Sequence, residues 1–234
     1  MQNCGLWKII EFDEVTSTND VAKHNAESNP SNMVIVAKSQ TNGRGRRGNR
    51  WISQKGNLFF SQLFDNKTNV SDLAFVASLS LAEAIKKIFP ASDITIKWPN
   101  DVLINEKKVS GILIETADND MVIIGIGVNM VCNPDENQTA YPTASLKILG
   151  EADNNEFLKQ YLESFDKNYA ICQNDFASIR KNWLKYAARL NQKIKVKRKD
   201  KIDEGIFNGI DEQGLLLLEQ DNKQLKISVA EVLF

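Results

Sequence analysis

Four short β-branched runs, set closely along the chain, restrict what it can fold into: ITIKW (94–98), VLIN (102–105), KVSGILIE (108–115) and MVIIGIGVNM (121–130). Each is short for a helix and rich in Ile and Val, and the links at 105–107 and 117–120 have room only for turns. The last three runs are therefore expected to form an antiparallel meander within one sheet.

The flanking segments extend this plan. MVIVAKS (33–39) and NLFFSQLF (57–64) read as further strands. Ser17 or Thr18 opens a short helix with Asp20 in its first turn, and Ser71 caps a second helix over 71–89 that Pro90 ends. Apolar residues at helical spacing, among them Phe157, Tyr161, Phe165, Ile179 and Trp183, predict two more helices between 154 and 188. Beyond 189 the chain turns to short alternating strands broken by Gly and Asn. That pattern predicts a small SH3-like β-barrel over 189–234, docked on a main domain over 1–188. The expected fold class is α+β, with a mixed or antiparallel sheet and helices on one face.

Composition narrows the chemistry. With 29 Lys plus Arg against 30 Asp plus Glu, the net charge is −1, so any basic site must be local. The chain carries no apolar run long enough to span a bilayer and no secretory leader, and it reads as cytoplasmic. Cys4, Cys132 and Cys172 are far apart and odd in number, which argues against a disulfide framework or a zinc site. His24 is the sole histidine, so catalysis is expected to rest on Lys, Arg, Asp and backbone amides.

Four motifs could carry that chemistry. TNGRGRRGNR (41–50) packs three glycines and four arginines into a loop between strands, and no acidic residue occurs from Met33 to Phe64. Such a loop should repel itself when empty and order around an anion; its plainer readings are a solvated basic turn or an RGG-like nucleic-acid segment. KWPND (97–101) presents Asn100 and Asp101 together after Pro99, which suits a magnesium or phosphate contact, although such a pair by itself is usually just an Asx turn. In KKVSGILIE (107–115), Gly111 leaves a bare strand position that admits a flat ligand or forms a bulge. GIGVNM (125–130) lacks the third glycine and the following helix of a dinucleotide fingerprint.

Taken in order, GRGRRGNRW, KWPND, KVSGILIE and GIGVNM resemble the biotin protein ligase family, the biotin-[acetyl-CoA-carboxylase] ligases. The likeness runs from TSTN (16–19) to GIDEQGLLLLEQ (209–220). With Met1 close before TSTN, it fits the form without an N-terminal DNA-binding domain, so DNA binding is not expected. The resemblance implies a class II synthetase-like catalytic domain, with ATP and biotin as substrates and magnesium as cofactor. It also implies biotinoyl-5'-AMP as intermediate and a biotin carboxyl carrier protein as acceptor. No membrane partner is implied, and a homodimer is left open.

Residue by residue, the resemblance places Ser17, Thr18, Asn19 and Gln40 at the ureido head of biotin, with Arg44, Gly45 and Arg46 folding over the biotin tail and the adenylate phosphate. It places Lys108 between the biotin carboxyl and the α-phosphate, making Lys108 and Arg46 the catalytic residues, with Gly111 on the biotin side. Trp51, Asn100, Asp101, Gly127 and Asn129 join Arg44 and Arg46 on the nucleotide side, with Asp101 as the magnesium ligand. Trp51 reads equally as a core tryptophan. Asn49 departs from the family's usual arginine, which costs one cation. A lipoate ligase or octanoyl transferase of the same fold is the nearest alternative. A single-stranded nucleic-acid binder using the loop and KIKVKRKDK (193–201) is a more distant one, since 193–201 also reads as an edge strand with solvated lysines.

Overall fold

A computed structural model describes residues 2–27, 32–117, 121–199 and 201–233. In chain order the elements are β1 (Gln2–Cys4), β2 (Trp7–Val15), α1 (Thr18–Ala26), β3 (Met33–Gln40), β4 (Leu58–Asp65), α2 (Leu73–Ile88), β5 (Ile94–Lys97), β6 (Asp101–Ile104), β7 (Lys107–Thr116) and β8 (Met121–Val128). There follow α3 (Asn154–Cys172), α4 (Phe176–Leu184), β9 (Lys193–Arg198), β10 (Lys201–Ile210), β11 (Leu216–Gln220), β12 (Lys223–Ile227) and β13 (Glu231–Leu233).

The main sheet has eight strands in the order β1-β2-β3-β4-β8-β7-β6-β5. β2 and β3, joined through α1, are parallel and every other neighbouring pair is antiparallel, so the sheet is mixed. The meander expected from the short links is present as β6-β7-β8; of the 117–120 link, residues 118–120 lie outside the described residues. Residues 186–188 cover the β5 edge: Ile96 N donates to Tyr186 O and Ala188 N to Ile96 O.

Strand alternation sorts the core into two layers. On β4 and β8, Phe60, Phe64, Ile124 and Ile126 face α2, α3 and α4 in the larger cluster. Leu63, Met121 and Ile123 face the opposite way and pack under Ala22 and Ala26 of α1. Helices on one face is therefore right for α2, α3 and α4, while α1 covers the other. Its small apolar stripe needs only a narrow strip of sheet, which leaves the rest of that face free for a cleft.

Two local expectations change. Helix α2 starts at Leu73 after a 3₁₀ turn over Val70–Asp72, and the Ser71 hydroxyl donates to Asp72, so Ser71 is not its cap. The C-terminal strands form a five-stranded antiparallel sheet ordered β12-β11-β10-β9-β13. Strand β9, read as an edge, is flanked by β10 and β13 because the last residues of the chain return to pair with it. Its lysines still point to solvent, and Ile194 and Val196 inward. No helix among the described residues is long and apolar enough to cross a membrane.

Candidate active site

The cleft opens on the α1 face of the sheet, beyond the helix N-terminus. On β8 the positions after Ile123 that share its face are Gly125 and Gly127, and Gly127 pairs across to Gly111 of β7. Successive glycines remove the side chains that would otherwise fill this part of the floor. A Cβ on Gly125 would stand 2.0 Å from Asn19 Oδ1, and one on Gly127 would stand 2.3 Å from the Trp51 ring, so both positions exclude even alanine without rearrangement. The space, about 970 Å³ counted out to its open mouth, is lined by residues drawn from both sheets.

One end is a network of neutral polar groups. Thr18 N donates to Gln40 Oε1 at 2.9 Å, Gln40 Nε2 to Ser53 Oγ at 3.1 Å, and Ser61 Oγ lies 2.7 Å from Thr18 Oγ1 and 2.6 Å from Asn19 Oδ1. Asn19 Nδ2 donates to Glu115 at 2.6 Å. The Asn19 amide is thus engaged at both ends and buttresses Ser17 and Thr18, which line the cleft beside it.

The other end is cationic. Lys108, at the start of β7, is buried with its ammonium 2.8 Å from Asp101 Oδ1, 3.3 Å from the Tyr141 hydroxyl and 4.8 Å from the centre of the Tyr141 ring. It also lies 5.5 Å from the Trp51 ring. Burial works against its charge, but Asp101 and Tyr141 outweigh burial and hold its pKa above that of an ordinary lysine. Lys97, 4.0 Å from the other Asp101 oxygen, goes the opposite way: burial lowers its pKa, and the like charge of Lys108 lowers it further against Asp101 and Glu231.

The Gly/Arg loop lies over this floor as a small hairpin. Gly45 N donates to Asn49 O, Trp51 N donates to Gly43 O, and Arg44 bridges Arg50. Its tip turns at Arg47 and Gly48, both with positive φ. The self-repulsion expected of the loop is met by carboxylates from elsewhere in the chain. Arg44 ion-pairs with Asp20 at 2.5 Å and Glu115 at 3.1 Å, and these contacts outweigh its burial and raise its pKa. Arg46 reaches across the cleft to donate to Asn100 Oδ1 at 2.7 Å, and Asn100 Nδ2 donates to Ile112 O. Among the described residues Arg46 has no carboxylate within ion-pair distance, and burial lowers its pKa, only partly offset by Asp101.

Of the residues singled out from sequence, Ser17, Thr18, Asn19, Gln40, Arg44, Gly45, Arg46, Trp51, Asn100, Asp101, Lys108, Gly111 and Gly127 all line this one cleft. Asn129 does not. It is buried just past the end of β8, where its Nδ2 donates to Ala144 O and its backbone ties to Val109 and Leu146, so it anchors the 144–146 segment. Sequence reasoning missed Tyr141 and the contribution of Ala230, Glu231 and Val232 from the C-terminal unit, all lining the cleft, and Glu115, which holds the lining residues Asn19 and Arg44. Glu115 closes the KVSGILIE motif and could have been questioned as a charge ending an apolar strand. Nothing local marks Tyr141 or the C-terminal residues. The second sheet is fastened beside the site by Trp98 Nε1, which donates to Gly214 O at 3.0 Å.

For magnesium the donor set is sparse. Among the described residues Asp101 is the one acidic residue of the main sheet that lines the cationic end, and its oxygens face Lys108 and Lys97. Among the described residues no three His, Cys, Asp or Glu gather as a metal-binding group. The side chains do not fit a metal held by protein alone; magnesium commonly keeps waters and substrate phosphates as its other ligands.

A glycine-floored cleft with neutral polar groups at one end and a buried lysine flanked by half-buried cations at the other defines a class. Residues 9–129 match the biotin/lipoate A/B protein ligase family, and residues 190–234 match the biotin protein ligase C-terminal domain. The chain is 35% identical to the biotin--[acetyl-CoA-carboxylase] ligase of Paracoccus denitrificans, over 93% of this chain and 97% of that one. It is 32% identical to the bifunctional ligase/repressor BirA of Bacillus subtilis, matching 96% of this chain and 73% of that one. Among solved structures, the biotin protein ligase from Aquifex aeolicus in complex with biotin and ATP superimposes with a TM-score of 0.84 at 31% identity, covering 96% of this chain and 97% of that one. The chain belongs to the biotin protein ligase family.

Proposed function

We propose that this cleft joins biotin to ATP, giving biotinoyl-5'-AMP and pyrophosphate, and then passes the biotinoyl group to a lysine of a biotin carboxyl carrier protein. The chain is an ATP-dependent biotin--[acetyl-CoA-carboxylase] ligase. The observation that carries the residue assignment is the position of Lys108: a buried ammonium, kept charged by Asp101 and Tyr141, 5.5 Å from the Trp51 ring that rests on Gly111 and Gly127. A flat ligand lying along that ring would bring its carboxylate to the cation.

Ser17, Thr18 and Gln40 supply donors and acceptors for a ureido ring, with Asn19 behind them. The two anions that must meet, the biotin carboxylate and the α-phosphate, repel one another in water. Lys108 from the floor and Arg46 from the hairpin remove that repulsion, and their contacts strengthen as charge builds on phosphorus. A carboxylate oxygen attacks the α-phosphorus, an acyl–oxygen–phosphorus link forms, and the bond to pyrophosphate breaks. In the second step the neutral amine of the acceptor lysine attacks the acyl carbon, the acyl–oxygen bond breaks, AMP leaves with that oxygen, and the nitrogen gives up one proton to solvent as the amide forms. Trp51, Asn100 and Gly127 flank the nucleotide. Magnesium would be part of the triphosphate substrate, offsetting its charge, and Asp101 is the carboxylate of the main sheet that would be available to it. The main domain over 1–188 supplies most of the site and the unit from 189 onward closes one side through Ala230, Glu231 and Val232.

The test is pyrophosphate release with ATP and magnesium. Release with biotin and not with lipoate is expected, followed by label transfer to a carrier domain. Release with lipoate alone would move the protein to the lipoate branch of the fold.

A further inference from the structure

The Glu115 carboxylate sits at the junction of three parts of the cleft wall and touches neither of the cations assigned to the reacting groups. It stands near the end of β7, paired with Ile123, on the same face of the strand as Gly111. Its Oε2 accepts from Asn19 Nδ2 at 2.6 Å and from Arg44 Nη2 at 3.1 Å. The other arm of Arg44 is held 2.5 Å from Asp20 in the first turn of α1. Both arms of this guanidinium therefore end on carboxylates. Arg44 is also the residue through which the hairpin closes on itself, since it bridges Arg50 while Gly45 N donates to Asn49 O. A pull on Arg44 sets the height of the next residues, and Arg46 is the one whose side chain crosses the cleft to Asn100.

The charge pattern points the same way. The hairpin brings four arginines and no acid of its own, so it lifts into solvent unless carboxylates elsewhere hold it. Asp20 and Glu115 are those carboxylates, and both spend their charge on Arg44 alone among the loop's arginines.

We propose that Glu115 is a positioning residue which, acting through Arg44 and Asn19, holds the 43–50 hairpin down over the cleft, and that the Arg44 side chain is a tether and not a ligand-facing cation. This deepens the ligase reading and rests on it for the kinetic part of the test.

Glu115→Gln removes the charge and keeps an amide oxygen of the same reach. In ligand-free protein, trypsin cleavage after Arg46, Arg47 or Arg50, mapped by mass spectrometry, should rise by about fivefold or more. Loss of one charge-assisted contact should raise KM for biotin about tenfold, while kcat at saturating biotin stays near wild type because bound ligand then holds the hairpin. Arg44→Gln should behave alike, and the double variant should be no worse than the worse single one, because both cut the same tether. Unchanged cleavage in Glu115→Gln, additive single effects, or a kcat loss at unchanged KM each overturns the proposal. Should Glu115→Gln fail to fold by circular dichroism, Asp20→Asn reads the other arm: faster cleavage supports the tether and wild-type cleavage overturns it. Proteolysis needs no substrate, and biotin-dependent pyrophosphate release by the wild type is measured separately, so failure of the tether and failure of the ligase reading are told apart.

Discussion

The Trp51 indole lies on Gly127 so closely that a Cβ there would come within 2.3 Å of the ring. The ring also bounds Gly111, where a Cβ would meet Trp51 and the Lys108 ammonium at 3.0 Å. Among the described residues the buried Trp51 Nε1 meets no acceptor, which costs stability unless something else offsets it. The tryptophan that follows the Gly/Arg hairpin is therefore a wall of the cleft and not a member of the main core, and glycine at 127 is what lets it stand there.

Gly127→Ala should force that ring off the floor. Overpacking of this kind costs about 1–3 kcal/mol, so a lower melting temperature is expected together with weaker ATP binding. Adding Trp51→Ala should recover the melting temperature but not the ATP affinity. If Gly127→Ala melts like wild type, the Trp51 ring does not rest on this position.

Lys108→Ala should leave the fold intact, since the residue opens a strand and its ammonium faces the cleft. Loss of a contact that strengthens with the developing phosphate charge is worth about 3–4 kcal/mol, a hundredfold to a thousandfold in rate. Biotinoyl-5'-AMP formed at the wild-type rate under saturating substrates, by a variant with wild-type circular dichroism, would remove Lys108 from the chemistry. A defect confined to transfer would move it to the second step.

The pH dependence follows from the Lys108 pair. Its folded pKa is raised, so the stabilisation it gives is complete below the ordinary lysine value and is lost as pH rises through the higher folded value. Adenylation by wild type should show no alkaline limb from this group below about pH 10. Asp101→Asn removes the raising contact and leaves the burial, so a descending limb should enter the pH–rate profile at lower pH. A profile identical to wild type would contradict the pairing.

Cys172 supplies a check on the core. Burial, with Asp72 adding to it, pushes its thiol up to about 12. A thiol whose folded pKa is raised favours the fold at neutral pH and withdraws that support as pH climbs past its unfolded value. Native protein at about pH 8 should leave Cys172 unlabelled by a thiol reagent while half-buried Cys132 reacts. Labelling of Cys172 before unfolding would mean that the end of α3 opens.

Biotin and ATP together should raise the melting temperature more than either alone, because the trapped acyl-adenylate neutralises Arg46 and Lys108 at once. Simple additivity of the two shifts would count against formation of that intermediate.

What the sequence determined by itself is what depends on near neighbours. Alternation and turn spacing gave the meander of 102–128, helical spacing gave α3 and α4, and the motif order brought Lys108, Gly111 and the 43–50 hairpin to attention, because each signal is carried within a dozen residues. Tertiary structure decided which charges meet. Arg44 reads in sequence as one of four equivalent loop cations, and only the packing of α1 and β7 against the hairpin takes it for Asp20 and Glu115 while leaving Arg46 facing the cleft. Tyr141 reaches Lys108 from a segment with no periodic signal, and Glu231 reaches the cleft from the last strand of the chain. Asn129, adjacent to two floor glycines in sequence, lies past the strand end and is turned to the 144–146 segment. Coulomb forces and hydrogen bonds act on distance in space, and a contact between residues 71 apart, as for Arg44 and Glu115, leaves no trace in either local pattern.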